Sequence, residues 1–206
     1  SEAAFTFTTI GQGIVHPADD VLYVPYSIIG SGTSGYIASQ STAGVWENTA
    51  LTLAQNYFPT SICEYGNYLA IATKPKYIGG KSVVYLWDRD ATLATLSEKV
   101  SWGYESLELI EEVDGYLIGI SSTAAAGLNN IDVRLFFKAW TSGAAGPTPI
   151  LDLPLGSLTI NFAGKQKQNN RMYFMMSASL MAQALYTGTG STDFTVYDGI
   201  FSFGRL

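Results

Sequence analysis

An all-β chain made of repeated sheet units is what the sequence predicts, on three observations. The first is compositional. Of 206 residues, 47% are hydrophobic, 13% aromatic and only 14% charged, with 21 glycines; such a mixture suits strands joined by many turns and is too apolar for disorder. The second is repetition. "DDVLYVPYS" (19–27), "GNYLAIATK" (66–74), "VDGYLIGISS" (113–122) and "NNRMYFMMSA" (169–178) each open on a turn pair and run into a short, mostly apolar stretch. Aligned on Leu22, Leu69, Leu117 and Tyr173, these units recur after 47, 48 and 56 residues. The third is that no sustained helical stripe with caps runs through the chain. A period near 47 residues is too long for one hairpin and suits a four-stranded blade of ~40–50 residues. The expectation is therefore a β-propeller-like fold of about four blades, complete or part of a larger propeller. A β-sandwich is the alternative, since its turn signals also recur every ~8–12 residues, but it gives no reason for the same unit to return at this period.

Taken in order, the chain is expected to be one domain, 1–206, with blades at 1–57, 58–103, 104–156 and 157–206. In the second blade, "PTSICEY" (59–65) is a first strand that turns at Gly66-Asn67 into "YLAIAT" (68–73). A Gly-rich loop leads to "SVVYLWD" (82–88), and "ATLATLSEKV" (91–100) supplies the outer strand. The third blade runs alike: "SLELIEEV" (106–113), a turn at Asp114-Gly115, "YLIGIS" (116–121), a loop through Gly127-Leu128-Asn129-Asn130, then "DVRLFFKAW" (132–140). Continuous apolar runs such as "YLAIA" imply strands covered on both faces, whereas alternating "TLATLSEKV" suits an outer strand with one wet face. "SASLMAQAL" (177–185) is the one short helical candidate. The fourth blade ends at its third strand. The chain is then either a piece of a longer propeller or a small ring, and closing that ring would need a strand from "AAFTFTTI" (3–10).

Several chemistries are set aside on residue types. A net charge of −6 with no basic face argues against binding a nucleic-acid backbone. No apolar run approaches the ~20 residues that cross a bilayer, and Ser1 opens no secretory leader, so no membrane insertion is expected. Cys63, the single cysteine, allows neither an intrachain disulfide nor a thiolate metal cluster and reads as a small buried strand residue. His16, the single histidine, has no partner histidine for a metal site.

"PKYIGGKSVVYLWDRD" (75–90) looks most like a phosphate cradle. A Walker loop needs glycine five positions before the Gly of Gly-Lys-Ser, and a helix afterwards. Pro75 occupies the first place and a β-branched, aromatic run follows Ser82, so Gly79-Gly80 reads as a hairpin turn. In "GSGTSGY" the glycines Gly30, Gly32 and Gly35 are wrongly spaced for a nucleophile elbow. Asp19/Asp20, Asp88/Asp90 and Glu111/Glu112 lie in turns or at strand ends and read as solvated acids rather than the paired carboxylates of a glycosidase. "TGTGSTD" (187–193) is too poor in acids for a calcium loop. No catalytic, cofactor-binding or metal-binding residue is therefore assigned.

The aromatics remain. Tyr23, Tyr68, Tyr116 and Tyr173 fall at or beside one repeat position and read as packing between blades. Trp46, Trp87, Trp102 and Trp140 recur towards the later parts of the repeats and are the candidate ligand or partner contacts, since exposed indoles stack on sugar rings. "YLWD" resembles the end of a WD-type strand, but the accompanying Gly-His signature is missing.

The phrases "YGNYLAIATKP", "GGKSVVYLWD", "VDGYLIGIS" and "YDGIFSFGRL" together resemble the propeller-type repeats of virion structural proteins of tailed bacteriophages, with their "YGxYLAIG…SxVYLWDG" and "GIYSFGR" phrases. The likeness is close over 58–122, looser over 197–205, and only in outline for the first repeat and 129–168. These motifs are structural. The resemblance implies a non-enzymatic, cofactor-free tail-associated virion protein, a protein–protein scaffold contacting other virion proteins within a symmetric oligomer. It departs from the family in length, since such propellers usually hold more than four blades. A module binding a host receptor or glycan on a propeller face is the alternative role, and an enzyme of glycosidase or lyase type the third.

Overall fold

The computed structural model describes residues 9–28, 34–77, 79–90, 96–123, 133–156, 158–168, 171–180 and 196–203, and these form sixteen strands and no helix. The all-β expectation holds. The first sheet contains β1 (Thr9–Ile10), β2 (Ile14–His16), β3 (Val21–Ile28), β4 (Ser34–Gln40) and β5 (Trp46–Thr52), with β1 and β2 both pairing β3. The second contains β6 (Tyr57–Tyr65), β7 (Tyr68–Pro75), β8 (Ser82–Trp87) and β9 (Leu96–Gly103). β10 (Ser106–Val113), β11 (Tyr116–Ser122), β12 (Val133–Trp140) and β13 (Thr148–Gly156) make the third; β14 (Leu158–Gln168), β15 (Arg171–Leu180) and β16 (Val196–Phe203) make the fourth. The second, third and fourth sheets are meanders of strands consecutive in sequence, as β2 to β5 are in the first, and this is the topology of a propeller blade.

The turn pairs act as read. Gly66, with φ 58°, occupies the first place of the tight turn between paired Tyr65 and Tyr68, as in a type II′ hairpin. Asp114 and Gly115 both have positive φ, 51° and 83°, the type I′ arrangement whose twist matches the flanking strands. Leu22, Leu69, Leu117 and Tyr173 all fall on the second meander strand of their sheets: β3, β7, β11 and β15.

Three expectations change. Ser177–Leu180, the described part of the helical candidate, is extended, because it pairs with β14 on one side and, up to Ser179, with β16 on the other; residues 181–185 lie outside the described residues. Thr9 and Ile10, the described end of "AAFTFTTI", pair with Ser27 and Tyr26 of the first sheet, and residues 3–8 lie outside the described residues. Of the repeat tyrosines, Tyr23 is buried, but Tyr68 and Tyr116 stand exposed beside their tight turns, where the chain reverses at the rim of the sheet. The side chain of Tyr173 lies outside the described residues.

The chain divides into two compact units, Ser1–Ile110 and Glu111–Leu206. In the first, Tyr23, Ile37, Leu51 and Leu53 of the first sheet region pack with Ile62, Leu69, Ile71, Val83, Tyr85 and Trp87 of the second in one apolar cluster. All six residues of β8 are buried, as its unbroken apolar run predicts. The opposite face of the second sheet mixes Ala70 and Ala72 with Val84 and Leu86 and is fastened to β10 by hydroxyls. Ser82 Oγ donates to Glu105 O (2.7 Å) and accepts from Leu107 N–H (3.1 Å). Thr60 Oγ1 donates to Leu107 O at 2.7 Å, and Ser61 Oγ accepts from Ile110 N–H at 3.3 Å. In the second unit, Glu111 is buried and pairs with Lys165 at 2.9 Å, while Glu112 pairs with Lys167. These two acids are therefore structural ion pairs rather than solvated groups; each carboxylate sits in β10 with a lysine of β14 to neutralise it.

Candidate functional site

The stretch that resembled a phosphate cradle is settled by its strand. Ser82–Trp87 is β8, not a helix, and the Ser82 hydroxyl is already bonded to the backbone of residues 105 and 107. Gly79 has φ 87°, the left-handed conformation that makes it a turn residue.

Of the four candidate tryptophans, the structure leaves one at the surface. Trp87, Trp102 and Trp140 are each about 1% exposed, whereas Trp46, at the start of β5, is 45% exposed. Trp87 meets Tyr23 edge-to-face at 5.8 Å, and Trp140 Nε1 donates to Ala144 O at 2.9 Å. The three buried indoles are packing groups and cannot meet a ligand or partner.

Within the first unit, a titratable cluster is drawn together where the loop after β2 meets the turn after β6. Arg89 follows β8 with φ 68° and donates from its guanidinium to Asp19 Oδ2 (2.8 Å) and Asn67 O (2.6 Å), with His16 Nε2 beside it at 2.8 Å. Asp19 also accepts from Val21 N–H at 3.1 Å and from the Tyr23 hydroxyl at 3.0 Å. Burial raises the Asp19 carboxyl, but the bonds from Val21 and Tyr23 and the charge of Arg89 outweigh it and hold the group below its usual value. Burial, reinforced by the bond to Asp19, pushes the Tyr23 hydroxyl well above the ordinary phenol range. A phenol held so firmly protonated is a poor nucleophile or base, so the cluster acts as a latch between the first two sheets. His16, fully buried, belongs to this latch; its Nδ1 accepts from Ala18 N–H at 3.2 Å.

Beside the latch opens a cavity of about 280 Å³. Its apolar lining is Val21, Tyr23, Val45, Ala50 and Trp87; its polar lining is Ser39, Ser41, Glu47 and Arg89. Tyr23 pairs with Ser39, and Ser39 with Glu47, so the three side chains form one row across β3, β4 and β5. Trp46 pairs with Gln40 and points to the other face of the sheet, away from that row. Sequence reasoning missed Ser39, Glu47 and Arg89, which come together only once two sheets are stacked. Among the described residues, no group of three or more His, Cys, Asp or Glu side chains is placed to hold a metal ion.

Comparison with known proteins bears on the fold. No family model and no curated protein matches the sequence. Among solved structures, phage phi92 endosialidase is similar with a TM-score of 0.61, at 11% identity, over 96% of this chain and 35% of that one. The chain shares its fold with part of a phage protein. It spans about a third of that neighbour's length, and at such low identity the likeness concerns architecture only.

Proposed function

We propose that this chain is a structural module of a bacteriophage virion, a tail-associated protein–protein scaffold without enzymatic activity. The observation that carries the reading is the fold likeness over 96% of the chain to a phage protein, joined to the sequence resemblance to phage propeller repeats. The use of the polar groups supports it. The hydroxyls of Thr60, Ser61 and Ser82 and the charges of Asp19, Arg89, Glu111 and Lys165 all fasten sheets to one another. A scaffold needs that rigidity. Its partners are other virion proteins in a symmetric oligomer, and Trp46 is the aromatic best placed for such a contact, being the exposed member of its set. The test is proteomic and microscopic. Antibody raised against the chain is expected to label the tails of purified particles of the encoding phage; absence of the chain from particles would overturn the reading.

A further inference from the structure

The cavity beside the latch has a chemistry that scaffolding does not require. We propose that it is a binding site for a neutral, hydroxyl-rich ligand, one sugar ring of a glycan, held by Ser39, Glu47 and Arg89. This goes beyond the scaffold reading and stands or falls separately from it.

The polar groups select the class of ligand. Neither the Ser39 hydroxyl nor the Glu47 carboxylate has a side-chain partner among the described residues, although the two face each other across β4 and β5. Arg89 lines the same cavity, and its side chain is only 11% exposed. The space therefore offers an acceptor, a group that both donates and accepts, and a fixed donor. An anion would be repelled by the Glu47 carboxylate in the lining. A cation would be set against the fixed guanidinium. A hydroxyl, donor and acceptor at once, satisfies both ends.

Size and the apolar lining narrow it further. Ligand pockets for drug-sized molecules run to roughly 300–1,000 Å³, so about 280 Å³ suits a single ring. Val21, Val45 and Ala50 give the C–H face of such a ring an apolar seat. The shape is fixed in advance, since the latch holds Arg89 by hydrogen bonds to Asp19 and Asn67.

The experiment is saturation-transfer NMR on the full chain with three neutral probes: methyl α-glucopyranoside, methyl α-mannopyranoside and methyl β-galactopyranoside. Glucuronate and glucosamine serve as charged comparisons. At least one neutral probe is expected to bind. Glu47→Ala and Ser39→Ala should each weaken it by about tenfold, the effect of losing one good hydrogen bond, with the melting temperature unchanged because neither side chain supports the fold. Three results would overturn the proposal: no neutral probe binds, binding survives in both variants, or a charged sugar is preferred.

Discussion

The two faces of the second sheet do the same job by different means. Towards the first sheet it presents Ile62, Leu69, Ile71, Val83, Tyr85 and Trp87, large groups that fill space, with the charged latch of Arg89, Asp19 and His16 at the rim. Its other face carries Ser61, Cys63, Ala70, Ala72, Ser82, Val84 and Leu86, by the alternation of the registers, and is also bonded by hydroxyls to the backbone of β10. One face is held by large apolar groups with a charged rim, the other by apolar packing together with neutral hydrogen bonds. Stacked sheets therefore need no single packing code. Buried serines are viable on an apolar face when their hydroxyls satisfy the backbone groups of the neighbouring strand.

Substitutions can sharpen that contrast. On the bulky face, Leu69→Ala should cost about 2–5 kcal/mol in urea denaturation, as a fully buried large-to-small change that leaves a cavity. On the hydroxyl-bonded face, Ser82→Ala should cost about 1–3 kcal/mol, because it strands the Leu107 N–H and Glu105 C=O. Equal and negligible costs at both positions would mean the faces are not packed as described. The latch should show itself in pH rather than in neutral stability. Asp19 lies below its usual carboxyl value of 3.8 when folded, so its contribution is present above about pH 4 and is lost as pH falls through the lowered value. Asp19→Asn should accordingly flatten the acid limb of a melting-temperature profile. The smallest effect belongs to Lys81→Ala, an exposed turn residue, within about 0.5 kcal/mol of the parent.

Much of the fold was legible because turns and strands leave local marks. Gly66, Asp114 and Gly115 carry the positive φ that their residue types permit, and the apolar run 83–86 of β8 announces burial on both sides. What a neighbouring sheet covers is not written locally. Trp87, Trp102 and Trp140 could be surface indoles by sequence, and only stacking puts them inside. The cavity was invisible for the same reason. Ser39, Glu47 and Arg89 come from three separate segments with ordinary neighbours. "SASLMAQAL" misled because small and unbranched residues favour helices in isolation, whereas its first residues have strands to pair with on either side.

Amide hydrogen exchange measured by NMR at Leu107 and Ile110 tests most directly whether successive sheets are fastened by hydroxyls. Both N–H groups point at serines of the preceding sheet, Ser82 and Ser61. Both amides should be protected in the parent chain. Ser82→Ala should release Leu107 alone, and Ser61→Ala should release Ile110 alone. Free exchange at both positions in the parent, or protection that survives either substitution, would contradict the account.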